Sequence, residues 1–379
     1  MRALAFTALF LVACSDVPAT IDTTADRYLE RRPSPAAIVD AQGRYQGGWY
    51  ESFSGEFNQR QAAGDPYNLK SWLHVNVDDP RFYVVVQMVR TDFAGNIAVV
   101  VTDKDTGAFH SEDVVQMFSD SLTCDDAVTT LVDPSTGSSM KLVDGQLEFD
   151  VKANGLRVRG RGHEILLPAL TQIHRFHDGY GALGIWGNLE LDEGAVTVEG
   201  EEHALTAGSL GLYDRTVGHQ RTTLHWNYVA TSGLAKNRAT GEVRRFSVQG
   251  AIDLGRNRPY VNTRNHGFWL EGTGSTNRFT KVEELKFDYQ TDARGEFSPW
   301  HIFTPEADGR AARVDLTIAP PPGSRTLFHR RNKSADLWIV ERDFNQIYGL
   351  VSGSLFLDGE RWDVEPGTWA LAEQALVIL

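Results

Sequence analysis

Residues 140–158 read MKLVDGQLEFDVKANGLRV. Asp144-Gly145 stands between Leu142 and Leu147, and Asn154-Gly155 joins residues 149–151 to residues 156–158. Asp-Gly and Asn-Gly supply the two positive φ values of a type I′ turn, and apolar residues alternate on both sides. These residues therefore predict consecutive antiparallel β-hairpins.

The same pattern extends over most of the chain. Residues 71–77 alternate in polarity, residues 81–90 are rich in Tyr and Val, and Asp358-Gly359 marks another hairpin. The best stretch with helical periodicity, residues 112–122, predicts a short helix. Thirty-five glycines among 379 residues suit a chain with many tight turns. The sequence thus predicts an all-β protein of two antiparallel barrel domains packed together.

Composition places the domain boundary near residues 194–211, where glycines concentrate before a new aromatic-rich block. We expect a signal peptide over residues 1–13, a tether over residues 14–40, and β domains over residues 41–205 and 206–379. At roughly 100–200 residues per domain, these are ordinary sizes.

The N-terminus resembles the signal sequence of a bacterial lipoprotein. Arg2 precedes an apolar run over residues 3–13, which is too short to span a bilayer as a helix. Leu11-Val12-Ala13-Cys14 resembles a lipobox, which predicts a lipid on Cys14 and a cell-envelope location. Ser15 favours the outer membrane, facing the periplasm. The alternatives are an ordinary signal peptide or an incorrectly assigned start codon.

Charge and missing motifs exclude several function classes. The formal net charge of −13 and the absence of a long basic block argue against nucleic acid as a partner. The chain has no G-x-S-x-G and no H-E-x-x-H motif. His174 and His177 lack a third candidate ligand, so we expect neither a metal nor another cofactor.

The candidate site residues concentrate in the second half of the chain. On a strand, His225 and Asn227 would point to one face, and Trp226 and Tyr228 to the other. Other polar and aromatic residues stand close by in sequence. Together the candidates are Tyr213, Asp214, Arg215, His225, Trp226, Asn227, Trp269, Glu271, Asn277 and Trp300.

An ordered set of motifs over residues 45–379 resembles the domain of unknown function 2804 family. The set comprises residues 68–72, Tyr213-Asp214-Arg215, Trp226-Asn227, residues 271–276, Pro299-Trp300, residues 313–316 and residues 348–353. This family is similar to the lipocalin-like superfamily that includes carotenoid 1,2-hydratases. The resemblance implies two lipocalin-like barrels with a mostly apolar pocket. Asn277 stands where the family pattern leads us to expect a carboxylate.

Three functions stay open. The first is a cell-envelope lipoprotein that binds an apolar small molecule, such as a lipid or isoprenoid, in a barrel pocket. The second is a hydratase, isomerase or cyclase acting on an unsaturated apolar substrate. The third is a structural or adaptor lipoprotein, whose barrels present surface and whose contact with the membrane is the lipid anchor.

The enzyme hypothesis assigns a role to several of these residues. Asp214 would be the acid, aided by His225, because a carboxyl in an apolar pocket has a raised pKa. Aromatic faces would steady the developing cation. The wall formed by these aromatic faces would comprise Tyr213, Trp226 and Trp269. Asn227 and Glu271 would orient water.

Overall fold

The computed structural model of the protein describes residues 31–64, 69–91, 94–117, 121–177, 180–220, 223–253, 261–272, 277–282, 284–305, 312–321, 324, 327–337 and 340–378. Cys14, the predicted signal peptide and most of the predicted tether lie outside these ranges. None of the helices found within these ranges is long and apolar enough to cross a membrane.

The regular elements of the described residues are the strands of two largely antiparallel sheets and one short 3-10 turn at Gln59–Gln61. The first sheet contains β1 (Arg31–Arg32), β2 (Gly48–Tyr50), β3 (Leu69–Asp78), β4 (Phe82–Thr91), β5 (Ala94–Asp103), β6 (Phe109–Met117), β7 (Thr123–Cys124), β8 (Thr130–Asp133), β9 (Ser138–Val143), β10 (Gln146–Ala153), β11 (Leu156–His177), β12 (Tyr180–Val198), β13 (Glu201–Leu205) and β14 (Leu210–His219). Its main path runs β6-β5-β4-β3-β14-β12-β11-β10-β9-β8-β7, and only the small β1–β2 pair is parallel.

The second sheet contains β15 (Thr223–Asn237), β16 (Val243–Asp253), β17 (Val261–Leu270), β18 (Arg278–Lys281), β19 (Lys286–Asp288), β20 (Trp300–Phe303), β21 (Ala312–Ala319), β22 (Phe328–Leu337), β23 (Val340–Leu357), β24 (Glu360–Val364) and β25 (Trp369–Ile378). Both β24 and β25 pair with β15 and with β23, which closes part of this sheet on itself. The predicted all-β fold of two packed lipocalin-like domains is confirmed.

The hairpin turns have the predicted backbone geometry. Asp144 and Gly145 have φ values of 50° and 73°, and Asn154 and Gly155 have φ values of 45° and 96°. Asp358 and its following glycine likewise have positive φ values, 50° and 83°. These left-handed conformations match the twist of the flanking strands, which is why the dipeptides identified the strand ends so well.

Two details differ from the sequence predictions. The stretch proposed as a helix instead begins within β6, which pairs along its length with β5, because neighbouring strands override a weak helical period. In addition, β14 pairs with β12 and β3. The chain therefore changes sheet between His219 and Thr223, later than the expected boundary at residues 205–206.

Alternating side chains on the strands create three buried regions. On β3, Leu73 and Val75 face the core enclosed by the first sheet, so Trp72 and His74 face the other way. On β25, Ala372 faces the core of the second sheet. A third region, which we call the interdomain layer, lies where the outer faces of the two sheets pack together. Its apolar members include Tyr83, Leu166, Leu170, Trp186, Leu212, Tyr228, Trp269, Tyr348, Trp369 and Leu371.

Candidate functional site

Asp214 is a carboxyl group set among aromatic side chains of the interdomain layer. It lies on β14 directly between Trp186 and His74. The Trp72 indole Nε1 donates to its Oδ2 at 3.0 Å, and the Thr216 hydroxyl donates to its Oδ1 at 2.7 Å. Burial raises the pKa of Asp214 to about 6, although these donors oppose the shift. No ion pair holds Asp214 within the described ranges.

Glu373 is a second carboxyl group, presented by the other sheet. It lies on β25 between Tyr228 and Gln346, and only 6% of its surface is exposed. The Gln346 Nε2 donates to Oε1 at 2.7 Å, and the Trp226 indole donates to Oε2 at 3.2 Å. Burial, with a smaller contribution from the charge of Asp214, raises the pKa of Glu373 to about 7.

The two carboxyl groups belong to one site because their neighbours touch across the layer. The Tyr228 ring packs edge-on against the Trp186 ring at 5.7 Å between centroids, and against the His74 ring at 6.4 Å. Tyr228 flanks Glu373, and the other two residues flank Asp214. Burial lowers the pKa of His74 to about 4, so this imidazole is neutral at pH 7.

Arg330 is the cation that acts on Glu373 from the second sheet. Its guanidinium donates to Asp113 of the first sheet and to the side-chain oxygen of Gln346. The Tyr348 hydroxyl donates to the same oxygen at 2.9 Å. Arg330 is 4% exposed and its charge is balanced by Asp113. Its charge lowers the pKa of Glu373, against the larger opposite effect of burial.

Three of the predicted site residues lie at the interdomain layer: Asp214, Trp226 and Trp269. The Trp226 indole donates to Glu373, and the centroid of the Trp226 ring lies 6.0 Å from that of Phe344. Trp269 is fully buried, donates its indole N–H to the carbonyl of Pro168 at 2.7 Å, and packs against Phe279.

Tyr213 and Arg215 point away from this site. Strand alternation places both on the face opposite Asp214, toward the core of the first sheet. The Tyr213 hydroxyl donates to Glu164, and the Arg215 Nε donates to the carbonyl of Ala127 at 2.7 Å. The structure therefore does not bring Tyr213 to the predicted aromatic wall.

Asn227 and Trp300 lie inside the second sheet. The Tyr289 hydroxyl donates to Asn227 Oδ1 at 3.1 Å, and the Tyr289 ring stacks on Trp300 at 3.9 Å with an interplanar angle of 4°. Alternation puts His225 on the same face of β15 as Asn227. The sequence predicts that His225 and Asn227 point to one face of β15 and that Trp226 and Tyr228 point to the other, and this is confirmed for Asn227. Because His225 lies on the same face as Asn227, the structure does not bring it to Asp214.

Glu271 and Asn277 lie apart from the two carboxyl groups. Glu271 follows β17, accepts the backbone N–H of Arg245 at 3.2 Å, and lies 3.4 Å from its Nε. Arg245 also pairs with Glu190 of the first sheet, so Glu271 belongs to an ion-pair network that links the domains. Asn277 is half-buried and comes directly before β18.

Sequence reasoning missed Glu373, Trp72, Trp186 and His74. A signal for Glu373 is present, because residues 369–375 read WALAEQA, an apolar strand with a carboxyl on the face of Trp369 and Leu371. A lone acid on such a face requires a buried environment that tolerates it. No group of three or more His, Cys, Asp or Glu side chains in the described part of the chain could hold a metal ion.

Two solved structures are similar to this chain. A protein from Nitrosomonas europaea, provisionally designated AttH, aligns with a TM-score of 0.51 at 13% identity, over 84% of this chain and 96% of that chain. Kievitone hydratase from Nectria haematococca aligns with a TM-score of 0.49 at 12% identity, over 91% and 97%. At 13% identity, the likeness to the Nitrosomonas europaea protein concerns the fold alone.

The sequence comparisons point to a family rather than to an activity. Functionally curated proteins give no match. The model of the family described as domain of unknown function DUF2804 matches residues 30–167 and 188–375, which is most of the chain. The motifs that suggested this family therefore reflect true membership, and the chain belongs to the DUF2804 family.

Proposed function

We propose that this protein is an enzyme that binds an unsaturated apolar molecule at the interdomain layer and protonates a double bond, as a hydratase, isomerase or cyclase. The observation that supports this proposal is the environment of Asp214. Its carboxyl is bound by a Trp indole and a Thr hydroxyl and flanked by Trp186, with its pKa raised toward neutrality. Carboxyl groups with such pKa values suit proton transfer at pH 7.

The aromatic side chains supply the second requirement of this chemistry. Protonation of a double bond creates a carbocation, and the faces of Trp and Tyr rings attract cations. Trp186, Trp226 and Tyr228 stand next to the two carboxyl groups. A site of this composition combines an acid with a surface that stabilises the charge formed by that acid.

The test uses the full chain and two isoprenoid alkenes, geraniol and farnesol, as probes. We expect the protein to bind a probe, measured by quenching of tryptophan fluorescence, and to incorporate deuterium from D2O, measured by mass spectrometry. Asp214→Asn should bind the probe within a few-fold of wild type and lose at least about 100-fold in turnover, because a general acid or base contributes at least that much. Glu193→Gln, an exposed acid on β12, is the matched control.

The outcomes separate the three functions. Binding without isotope exchange in wild type would favour the apolar carrier. Neither binding nor exchange would favour the adaptor. Unchanged turnover in Asp214→Asn would remove Asp214 from the proton-transfer machinery.

The predicted lipid on Cys14 gives the proposal a location. We propose that the protein is anchored in the bacterial cell envelope, with its domains beside the membrane. An anchored pair of domains would meet lipids and isoprenoids at high local concentration. The apolar substrate class and the anchor therefore support the same placement.

A further inference from the structure

We infer that a cleft between the two domains binds a primary ammonium group carried on an apolar chain, with Asp214, Glu373 and His74 around the nitrogen and aromatic rings beside it. This inference rests on the binding site of the proposed function. It adds a class of ligand, a protonated alkyl or isoprenoid amine, that the proposed reaction does not require.

The two sheets bring the same arrangement of an indole and a carboxyl group to the interdomain layer. The Trp72 indole donates to Asp214, which lies two residues before the register partner of Trp72 on β14. The Trp226 indole donates to Glu373, which likewise lies two residues before the register partner of Trp226 on β25. Each domain therefore contributes one carboxyl group fixed by an indole N–H.

Two contacts show how these arrangements face each other. The Tyr228 ring lies against the His74 ring, and Tyr228 is the register partner of Glu373. The backbone N–H of Trp369 donates to Asp78 at 3.0 Å. The two contact points are four residues apart on β3, from 74 to 78, and four residues apart on β25, from 369 to 373. Facing positions of these two strands therefore stay level across the layer.

Trp72 and Trp226 lie level with each other two residues further along, because Trp226 is the register partner of Ala375. Both tryptophans and Asp214 are partly exposed, whereas most of the interdomain layer is buried. The row of Trp72 continues to Gly184 on β12. A Cβ atom built on Gly184 would make its nearest contact beyond its own segment at 3.5 Å, an ordinary distance. Partial exposure and a residue that leaves room for at least a methyl group together indicate a cleft beside Asp214.

Within the described residues, neither carboxyl group is hydrogen-bonded to a cation. Asp214 accepts from an indole and a hydroxyl, and Glu373 accepts from an indole and an amide. Arg330 acts on Glu373 from a distance, but Asp113 balances its charge. The pKa values of the two carboxyl groups are about 6 and about 7, so both are largely ionised at pH 8. A cation bound in the cleft would offset the cost of keeping these charges away from water.

His74 supplies a third acceptor and favours a primary amine as the ligand. It is 5% exposed, it is the register partner of Asp214, and its Nε2 has no hydrogen-bond partner in the described part of the chain. The imidazole is neutral at pH 7, so this nitrogen can accept an N–H. A primary ammonium group has three N–H donors, which match two carboxylates and one imidazole nitrogen. The faces of the Trp and Tyr rings attract the same charge, and their apolar surroundings suit an alkyl chain.

The test compares geranylamine with geraniol, two probes that share one isoprenoid chain and differ in the charge of the head group. Isothermal titration calorimetry with the full chain at pH 8 gives both dissociation constants. We expect geranylamine to bind at least about tenfold more tightly, because hydrogen bonds between charged groups are stronger than neutral ones. Equal affinity for the two probes, or tighter binding of geraniol, would overturn the inference.

Variants locate the bound ammonium group. Asp214→Asn and Glu373→Gln should each lower the ratio of geranylamine affinity to geraniol affinity by about tenfold, because each removes one carboxylate. Glu193→Gln, which removes an exposed acid of β12, should leave the ratio unchanged. Gly184→Leu fills the cleft and should weaken geranylamine binding by at least about tenfold. A ratio that persists in both carboxyl variants, or full binding in Gly184→Leu, would place the amine elsewhere and overturn the inference.

These measurements are separate from the deuterium exchange that tests the proposed function. A carboxyl-dependent preference for geranylamine, without deuterium incorporation into geraniol or farnesol, would support the ammonium site and remove the proposed enzyme. Deuterium incorporation without that preference would support the enzyme and overturn the ammonium site.

Discussion

Replacing Glu373 with glutamine changes the stability of this protein in a pH-dependent way that can be worked out from the contacts. The carboxyl is buried, and its pKa is raised from 4.5 to about 7 in the folded chain. Folded protein therefore binds the proton more tightly than unfolded chain does. The stabilisation from this proton is present below pH 4.5 and is lost as the pH rises to about 7.

The size of the effect follows from the two pKa values. At about 1.4 kcal/mol for each pH unit, ionised Glu373 costs the fold about 3 kcal/mol relative to its protonated form. Glutamine cannot ionise, so Glu373→Gln removes this cost. Its amide can accept the Gln346 N–H, but its NH2 group then meets the Trp226 indole N–H, which loses a hydrogen bond worth about 1 kcal/mol.

The prediction is therefore a change of sign. At pH 4, Glu373→Gln should be less stable than wild type by about 1 kcal/mol, and at pH 9 more stable by about 2 kcal/mol. Urea denaturation at both pH values measures the free energy of unfolding. Glu193→Gln serves as the control and should follow wild type at both. A stability difference between Glu373→Gln and wild type that stays the same at pH 4 and pH 9 would refute the reasoning.

Two further predictions concern the domain contact and the N-terminus. Asp113→Asn leaves Arg330 buried without a countercharge and should lower the free energy of unfolding by about 3 kcal/mol. Adding Arg330→Met should recover most of this loss in urea denaturation, and no recovery would mean that the loss arises elsewhere. Cys14→Ser should abolish membrane attachment, measured by fractionation and by the mass of the mature N-terminus, and an unmodified wild-type N-terminus would contradict the anchor.

The fold could be predicted from the sequence because its signals are local. Asp144-Gly145 and Asn154-Gly155 specify backbone conformations within two residues, and alternation then gives the faces of the adjoining strands. The position at which the chain passes from the first sheet to the second could not be predicted in the same way. It depends on β14 finding β12 and β3 as partners, and β3 lies more than a hundred residues away in sequence.

The site was predicted only in part for a related reason. Alternation separates Tyr213 from Asp214 and Asn227 from Trp226, but it does not show which face meets the other domain. Adjacent polar and aromatic residues were therefore read as one site, and the sheets distribute them among three buried regions. Glu373, more than 150 residues from Asp214, joins it only because two outer sheet faces pack together.

Burial of two carboxyl groups in the interdomain layer lowers the stability of the fold. A contact selected only for stability would fill these positions with apolar side chains, since burying an ionisable group without a countercharge destabilises a fold. Asp113 supplies such a countercharge for Arg330 in the same layer. Asp214 and Glu373 instead receive indole, hydroxyl and amide donors. Donors of this kind hold a carboxyl in place while leaving its pKa near neutrality, and that combination serves proton transfer better than it serves packing.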